Sequence, residues 1–140
     1  MLAYTQEQAR ESIDKIVGKP KVVILHVGTN DVKNGVDADI MIKNYDRLIK
    51  QVNRKLPDTK VVLSNIVPRE DDHILQETVE YVNAAVNRKC ANLNNVSIVR
   101  NNDIFGRKLK ALDLIHLTEP GTSRMASHIK DSVLDALKIQ

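Results

Sequence analysis

The stretch that most constrains this chain is Lys21-Val22-Val23-Ile24-Leu25-His26-Val27-Gly28-Thr29-Asn30-Asp31. It opens as an almost unbroken apolar run. A strand reads this way when helices cover both its faces, as in a parallel sheet. The run stops at four small or polar residues suited to a tight turn. In open α/β sheets the ligand crevice lies at the carboxyl ends of the strands. One segment therefore supplies a central strand and, at its tip, a cluster of hydrogen-bonding groups.

The rest of the chain alternates in the same style. A helical pattern over about residues 5–17 puts Ala9, Ile13, Ile16 and Val17 on one face, with Thr5 as cap and Gly18 and Pro20 as stop. The strand over residues 22–27 follows, then the Gly28-Thr29-Asn30-Asp31 turn and a second turn at Asn34-Gly35. Asp37 or Asp39 caps a long helix to about residue 55, and Leu56-Pro57-Asp58 ends it. Residues 61–67 form a second strand, with Pro68-Arg69-Glu70-Asp71-Asp72 as the loop at its carboxyl end. A helix over about residues 74–90 carries Leu75, Val79, Val82, Ala85 and Val86. Residues 96–99 form a short third strand, residues 100–112 are looser, and residues 113–116 are loop. A final helix starts at Thr118-Glu119-Pro120-Gly121, with Thr118 as cap, and carries Ile129, Val133, Leu134 and Leu137. This order predicts right-handed crossovers and a parallel sheet between helix layers.

At 140 residues this is one domain, long enough for one real core. Aromatics are 3% of the chain, so Val, Ile, Leu and Ala must build that core. The net charge of +3 is mild, and the basic residues have no aromatic interleaving, which argues against nucleic-acid binding. No apolar run approaches the length of a membrane span, and the start has no basic region or apolar core of a signal peptide. The single Cys90 excludes an internal disulfide and fits a reducing, cytoplasmic compartment. The four His show no metal-ligand spacing.

Two polar clusters carry chemistry. His116 follows Asp113 by three residues just before a helix. In a loop this spacing lets the carboxylate hold one ring nitrogen and leaves the other as a general base. Such a base normally activates a Ser hydroxyl while amide donors stabilise the oxyanion, and the Asn30 side chain is a suitable donor. Alone, Asp-x-x-His is equally a solvated loop pair.

Together, Gly28-Thr29-Asn30-Asp31 at a strand tip and Asp113-x-x-His116 before a Thr-Glu-Pro-Gly helix start resemble the SGNH hydrolase (GDSL-type esterase/lipase) family. The resemblance runs over essentially the whole chain. It implies a three-layer α/β/α sandwich with a flavodoxin-like parallel sheet, acting on small esters without metal or organic cofactor. It assigns Asn30 to the oxyanion hole, Asp113 to orientation and His116 to the base. The chain departs from the family's pattern in having no Gly-Asp-Ser nucleophile block and no second oxyanion Gly. On that reading the domain is incomplete at its N-terminus, lacks its first two strands, and is weak or inactive. A missing first strand would pair beside residues 22–27, since Val22 to Val27 is too apolar for a bare edge. The rival expectation follows from the same edge: a non-catalytic module that pairs there with a partner chain or a second copy.

Other residues have plainer readings. Ser64 sits mid-strand facing a helix layer. Ser123 and Ser127 are surface or packing residues. His26 is a packed strand residue, and His73 and His128 are on the surface. Asp31 bonds turn backbone. Arg69 either touches substrate or is a solvated loop residue. A nucleotide-binding reading has no Gly-rich phosphate loop to support it.

Overall fold

A computed structural model describes residues 5–106, 108–110 and 116–138. The order is α1 (Gln6–Asp14), β1 (Val22–His26), α2 (Thr29–Lys33), α3 (Ala38–Lys55), β2 (Lys60–Ser64), α4 (His73–Cys90), β3 (Val96–Val99) and α5 (Glu119–Lys138). The three strands form one parallel sheet in the order β1-β2-β3, with Val22 beside Lys60 and Val61 beside Val96. Helices lie on both faces, so the expected α/β/α sandwich is the observed architecture.

Polar residues at helix starts fix where the helices begin. The Thr5 hydroxyl accepts from Gln8 N at 3.2 Å. Of the two candidate caps for α3, Asp37 does the work, accepting from Asp39 N at 2.9 Å and Ile40 N at 3.4 Å. Asp72 caps α4 through Ile74 N at 2.8 Å and Leu75 N at 3.2 Å. The Thr118 hydroxyl accepts from Gly121 N at 3.2 Å, as a cap for α5 should.

The main core lies between the sheet and α1, α3 and α4. Val23, Leu25 and Val27 of the β1 segment meet Ile13, Met41, Leu48, Val52 and Val82, all at most 7% exposed. Burying each such aliphatic side chain contributes about 1.5–3 kcal/mol. β2 is central, and Val61, Val62 and Leu63 are shielded on both faces. A second, smaller cluster holds Val67, Ile104 and Leu109, joined by Leu117 and by Met125 of the last helix.

Four expectations need correction. Gly28-Thr29-Asn30-Asp31 is not a free turn: Gly28 is the cap of α2, whose first three residues are Thr29, Asn30 and Asp31. α1 stops at Asp14, so Val17 lies beyond the helix and is 90% exposed. β2 ends at Ser64 rather than at residue 67. Past that point the Asn83 amide on α4 takes both backbone groups of Ile66, accepting from its N at 3.0 Å and donating to its O at 2.9 Å. A side chain thereby replaces the strand ladder while Asn65, Ile66 and Val67 stay buried. The apolar face of α5 is only partly covered: Ala136 is buried, whereas Leu134 and Leu137 are exposed.

The sheet leaves β1 at one edge, with no neighbour on its outer side among the described residues. Alternation turns Val23 and Leu25 into the core and Val22, Ile24 and His26 toward the opposite face. Ile24 is 38% exposed there.

Candidate active site

The tips of β1 and β2 and the segment before α5 enclose a pocket of about 250 Å³. His26, Gly28, Thr29, Asn30, Lys33 and His116 are among its walls, with Ile66, Val67 and Leu117 as apolar lining. The two sequence blocks therefore meet in space: Asn30 comes from α2 and His116 from the bend before α5. Asp113 lies outside the described residues.

The Asn30 position depends on a crowded strand tip. The buried Tyr45 hydroxyl of α3 donates to the Val27 carbonyl. Burial pushes the Tyr45 phenol far above its ordinary pKa, so it stays a donor. Gly28 then turns the chain at φ 133° directly above Tyr45 and Ile66. Only a residue without a Cβ fits there. Asp31 holds the other end of the turn. Its carboxylate accepts from the backbone N of Gln6 at 3.0 Å, so it bonds the first turn of α1, 25 residues away, as well as its own neighbourhood. Burial raises the Asp31 pKa above the ordinary carboxylate value.

Arg69 is neither solvated nor free. Its side chain is 2% exposed. Nε and Nη2 make a two-pronged bond to the Asp71 carboxylate at 3.1 and 2.8 Å, and Nη1 donates to the Thr29 carbonyl at 3.1 Å. The guanidinium thus ties the loop after β2 to the first residue of α2. It also holds the Asp71 carboxyl below its ordinary range.

His116 is placed by the polar and apolar contacts around it. Lys110 forms an antiparallel bridge with Leu117, and its ammonium donates to the Pro68 carbonyl. Thr118 donates through N to Leu109 O at 3.2 Å and through its hydroxyl to Lys108 O at 2.7 Å. Gly121 packs against the Leu109 carbonyl, where a Cβ would not fit. Lys108, Leu109 and Lys110 are therefore locked to Leu117, Thr118 and the start of α5, next to His116 in the chain.

Sequence reading missed two pocket residues. His26 lines the wall and its Nδ1 is 2.9 Å from the Ser64 hydroxyl. Ser64 also accepts from Asn101 Nδ2 at 2.8 Å. Desolvation lowers the His26 pKa, in keeping with a neutral ring. The strand alternation that turns Val23 and Leu25 inward also turns His26 away from the core, and that was the available signal. Lys33 enters because the block is helical, one turn after Asn30, and no turn reading would place it there. Ser64 itself is 1% exposed. Among the described residues, no group of three His, Cys, Asp or Glu is placed to hold a metal. No described helix is long and apolar enough to cross a membrane.

A parallel α/β/α sandwich brings His116 and Asn30 to one pocket at the carboxyl end of its sheet. The GDSL-like Lipase/Acylhydrolase family matches residues 3–124, and the chain belongs to that family. It is 24% identical over 127 residues to the human platelet-activating factor acetylhydrolase IB subunit alpha2, covering 86% of this chain and 55% of that protein. The chain therefore spans about half the length of this relative. Its fold is similar to a GDSL-like lipase from Bacteroides thetaiotaomicron (TM-score 0.80, 19% identity, 94% of this chain and 72% of the other). It is also similar to a carbohydrate esterase family 3 structure from Talaromyces cellulolyticus (TM-score 0.78, 24% identity, 99% and 70%).

Proposed function

We propose that these residues carry the base and one oxyanion donor of a serine ester hydrolase that cleaves small acyl esters. The observation that supports this is the meeting of Asn30 and His116 in one pocket at the tips of β1 and β2. The names of the relatives, an acetylhydrolase and a carbohydrate esterase, are in keeping with it. His116 takes the proton of a serine hydroxyl as its oxygen attacks the ester carbonyl, and Asp113 orients the ring. The Asn30 side-chain N–H donates to the oxyanion. His116 then passes its proton to the leaving alkoxide, and water repeats the steps on the acyl-enzyme. Arg69 acts as a positioning residue, since its guanidinium is already taken by Asp71 and Thr29.

The nucleophile is the gap. No Gly-Asp-Ser block occurs within these 140 residues. Ser64, the serine bonded to a histidine ring at the strand tips, is closed off from the pocket. The 140-residue chain is therefore weak or inactive by itself. Its hydrolysis of a short activated aryl ester is expected to equal that of its His116→Ala variant, and a fluorophosphonate probe is expected to label no serine. Hydrolysis lost in the variant, with one serine labelled, would show a substitute nucleophile and overturn the inactive reading.

A second reading is favoured by the bare edge of β1 and the exposed Ile24, Leu134 and Leu137. Here the domain serves as an assembly module, and a strand from a second copy pairs along residues 22–27. Light scattering on the folded chain is expected to give twice 15.8 kDa on this reading. A stable monomer removes it.

A further inference from the structure

The exposed face of α3 carries Lys43, Arg47, Lys50 and Arg54. Their spacing of four, three and four residues puts them within about 60° of one another around the helix, as one stripe about 16 Å long. None of them lines the pocket that holds Asn30 and His116, so the chemistry proposed above leaves them unused.

The stripe works against the helix that bears it. Like charges three or four residues apart destabilise a helix, and each neighbouring pair along this stripe is of that kind. The helix dipole favours cations only in the last turn, which accounts for Arg54 but not for Lys43 or Arg47. Compensation from within the chain is slight. Lys50 pairs with Asp46 at 2.9 Å, in a bond open to water that screens it. Arg47 and Arg54 have no ion pair among the described residues. Both line the groove between α1 and α3, where the acids are engaged elsewhere: Glu7 accepts from Arg10 Nε at 3.0 Å, and Asp14 from Gln51 Nε2 at 2.8 Å. Arg47, Lys50, Asn53 and Arg54 also wall a second, open groove of about 520 Å³, with no acid among its described walls. The Asn53 oxygen accepts from Asn95 Nδ2 at 2.6 Å, so that side chain has its N–H groups left to offer. The side chains of this groove therefore present donors without an acceptor.

We propose that this face of α3 docks an acidic helix of a partner protein, with carboxylates at the same four, three and four spacing. Along the axis the cations are about 6, 4.5 and 6 Å apart, and a helix of that pattern repeats those gaps. An extended chain repeats every second residue, about 6.8 Å, and would span about 20 Å over four sites. Carboxylates are acceptors only, so they answer the donors of the groove, and the planar guanidinium groups of Arg47 and Arg54 suit them in two-pronged bonds. The basic surface is one helix face wide, because Glu7 and Asp14 lie along the groove at its side. A flat anionic membrane or a nucleic-acid duplex would meet those acids as well. No aromatic side chain is among the described walls of either groove, so the bases of a single strand have nothing to stack on. The inference does not depend on the hydrolase reading, because it concerns a surface outside the pocket.

Fluorescence anisotropy tests it, with the full chain titrated into a labelled, alanine-based helical peptide that carries Glu at that spacing. The comparisons are a peptide of the same composition with its Glu spread around the helix, and a single-stranded and a double-stranded oligonucleotide. Saturable binding to the patterned peptide is expected, weakening as salt rises, and looser binding to the scattered one. Arg47→Glu with Arg54→Glu reverses the two cations that lack an ion pair and is expected to weaken binding by roughly tenfold or more. Arg47→Gln with Arg54→Gln removes the charge without reversing it and is expected to give a smaller loss. All four substitutions are at exposed positions, and the melting temperature checks that the fold is kept. Lys19→Glu with Lys21→Glu makes the same change in net charge at other exposed positions and is expected to leave binding within about twofold. Equal loss in the two Glu pairs, equal binding of the two peptides, tighter binding of either oligonucleotide, or no saturation would overturn the proposal.

Discussion

Gly28→Ala is expected to destabilise the protein by about 2–6 kcal/mol, a large share of the stability of a domain this size. Two effects add. At φ 133° an L side chain is strained, which costs about 1–3 kcal/mol. The added Cβ also runs into the Tyr45 hydroxyl and comes within 2.8 Å of Ile66 Cδ1. Both neighbours are buried and cannot step aside, so overpacking adds about 1–3 kcal/mol. Gly35→Ala separates the two effects. Gly35 also has positive φ, at 77°, but nothing lies within 4 Å of its Cβ position. Urea denaturation of both variants is the measurement. If Gly28→Ala costs no more than Gly35→Ala, the packing of the strand tip against Tyr45 is wrong. In the same experiment Tyr45→Phe is expected to cost less in the Gly28→Ala background than in the wild type, because it removes the clashing oxygen.

The second large effect is one of sign. Gly121 sits in the first turn of α5, where replacing Gly by Ala ordinarily gains about 0.5–1 kcal/mol of helix stability. Here the Cβ would strike the Leu109 carbonyl oxygen and lie 3.0 Å from its carbon. The obstacle is backbone, so it gives way only if the segment carrying Lys108, Leu109 and Lys110 moves. Gly121→Ala is therefore expected to lose roughly 1–3 kcal/mol. It should also shift the His116 ring resonances, because Leu117 and Thr118 are bonded to that same segment. A stabilised variant with unmoved His116 signals would show that the clamp on this loop does not exist.

Both glycines show where local pattern stops being informative. The apolar runs announced the strands, because a parallel strand covered on both faces needs no polar alternation. Thr5, Asp37 and Thr118 announced helix starts, because a cap acts within three residues of itself. Non-local contacts were hidden. α2 is five residues long, too short for a helical period, and its Gly-Thr-Asn-Asp start carries the same residue types as a turn. The Asp31 bond to Gln6 crosses 25 residues. Arg69 reads as a loop cation until Asp71 and Thr29 are seen around it. β2 stops before its apolar residues do, because an amide from α4 competes successfully for the backbone of Ile66. At the site, the two family blocks named Asn30 and His116, and the structure places both on one pocket. Lys33 was hidden, since its relevance depends on the block being a short helix, whereas the alternation along β1 carried the signal for His26.

The parallel sheet has a consequence for the order of events when the chain folds. Neighbouring strands never follow one another directly: α3 lies between β1 and β2, and α4 between β2 and β3, so the register partners His26 and Ser64 are 38 residues apart and Ser64 meets Val99 only after α4. No hairpin can nucleate this sheet, and each strand pairing must first close a long loop. Helices α3 and α4, which span those loops, shorten the search by condensing them. β2 is the strand both searches share, so it becomes ordered only when each of its neighbours arrives with a helix already in place. The slow step of folding is therefore expected to be the docking of whole strand–helix units around Val61, Val62 and Leu63.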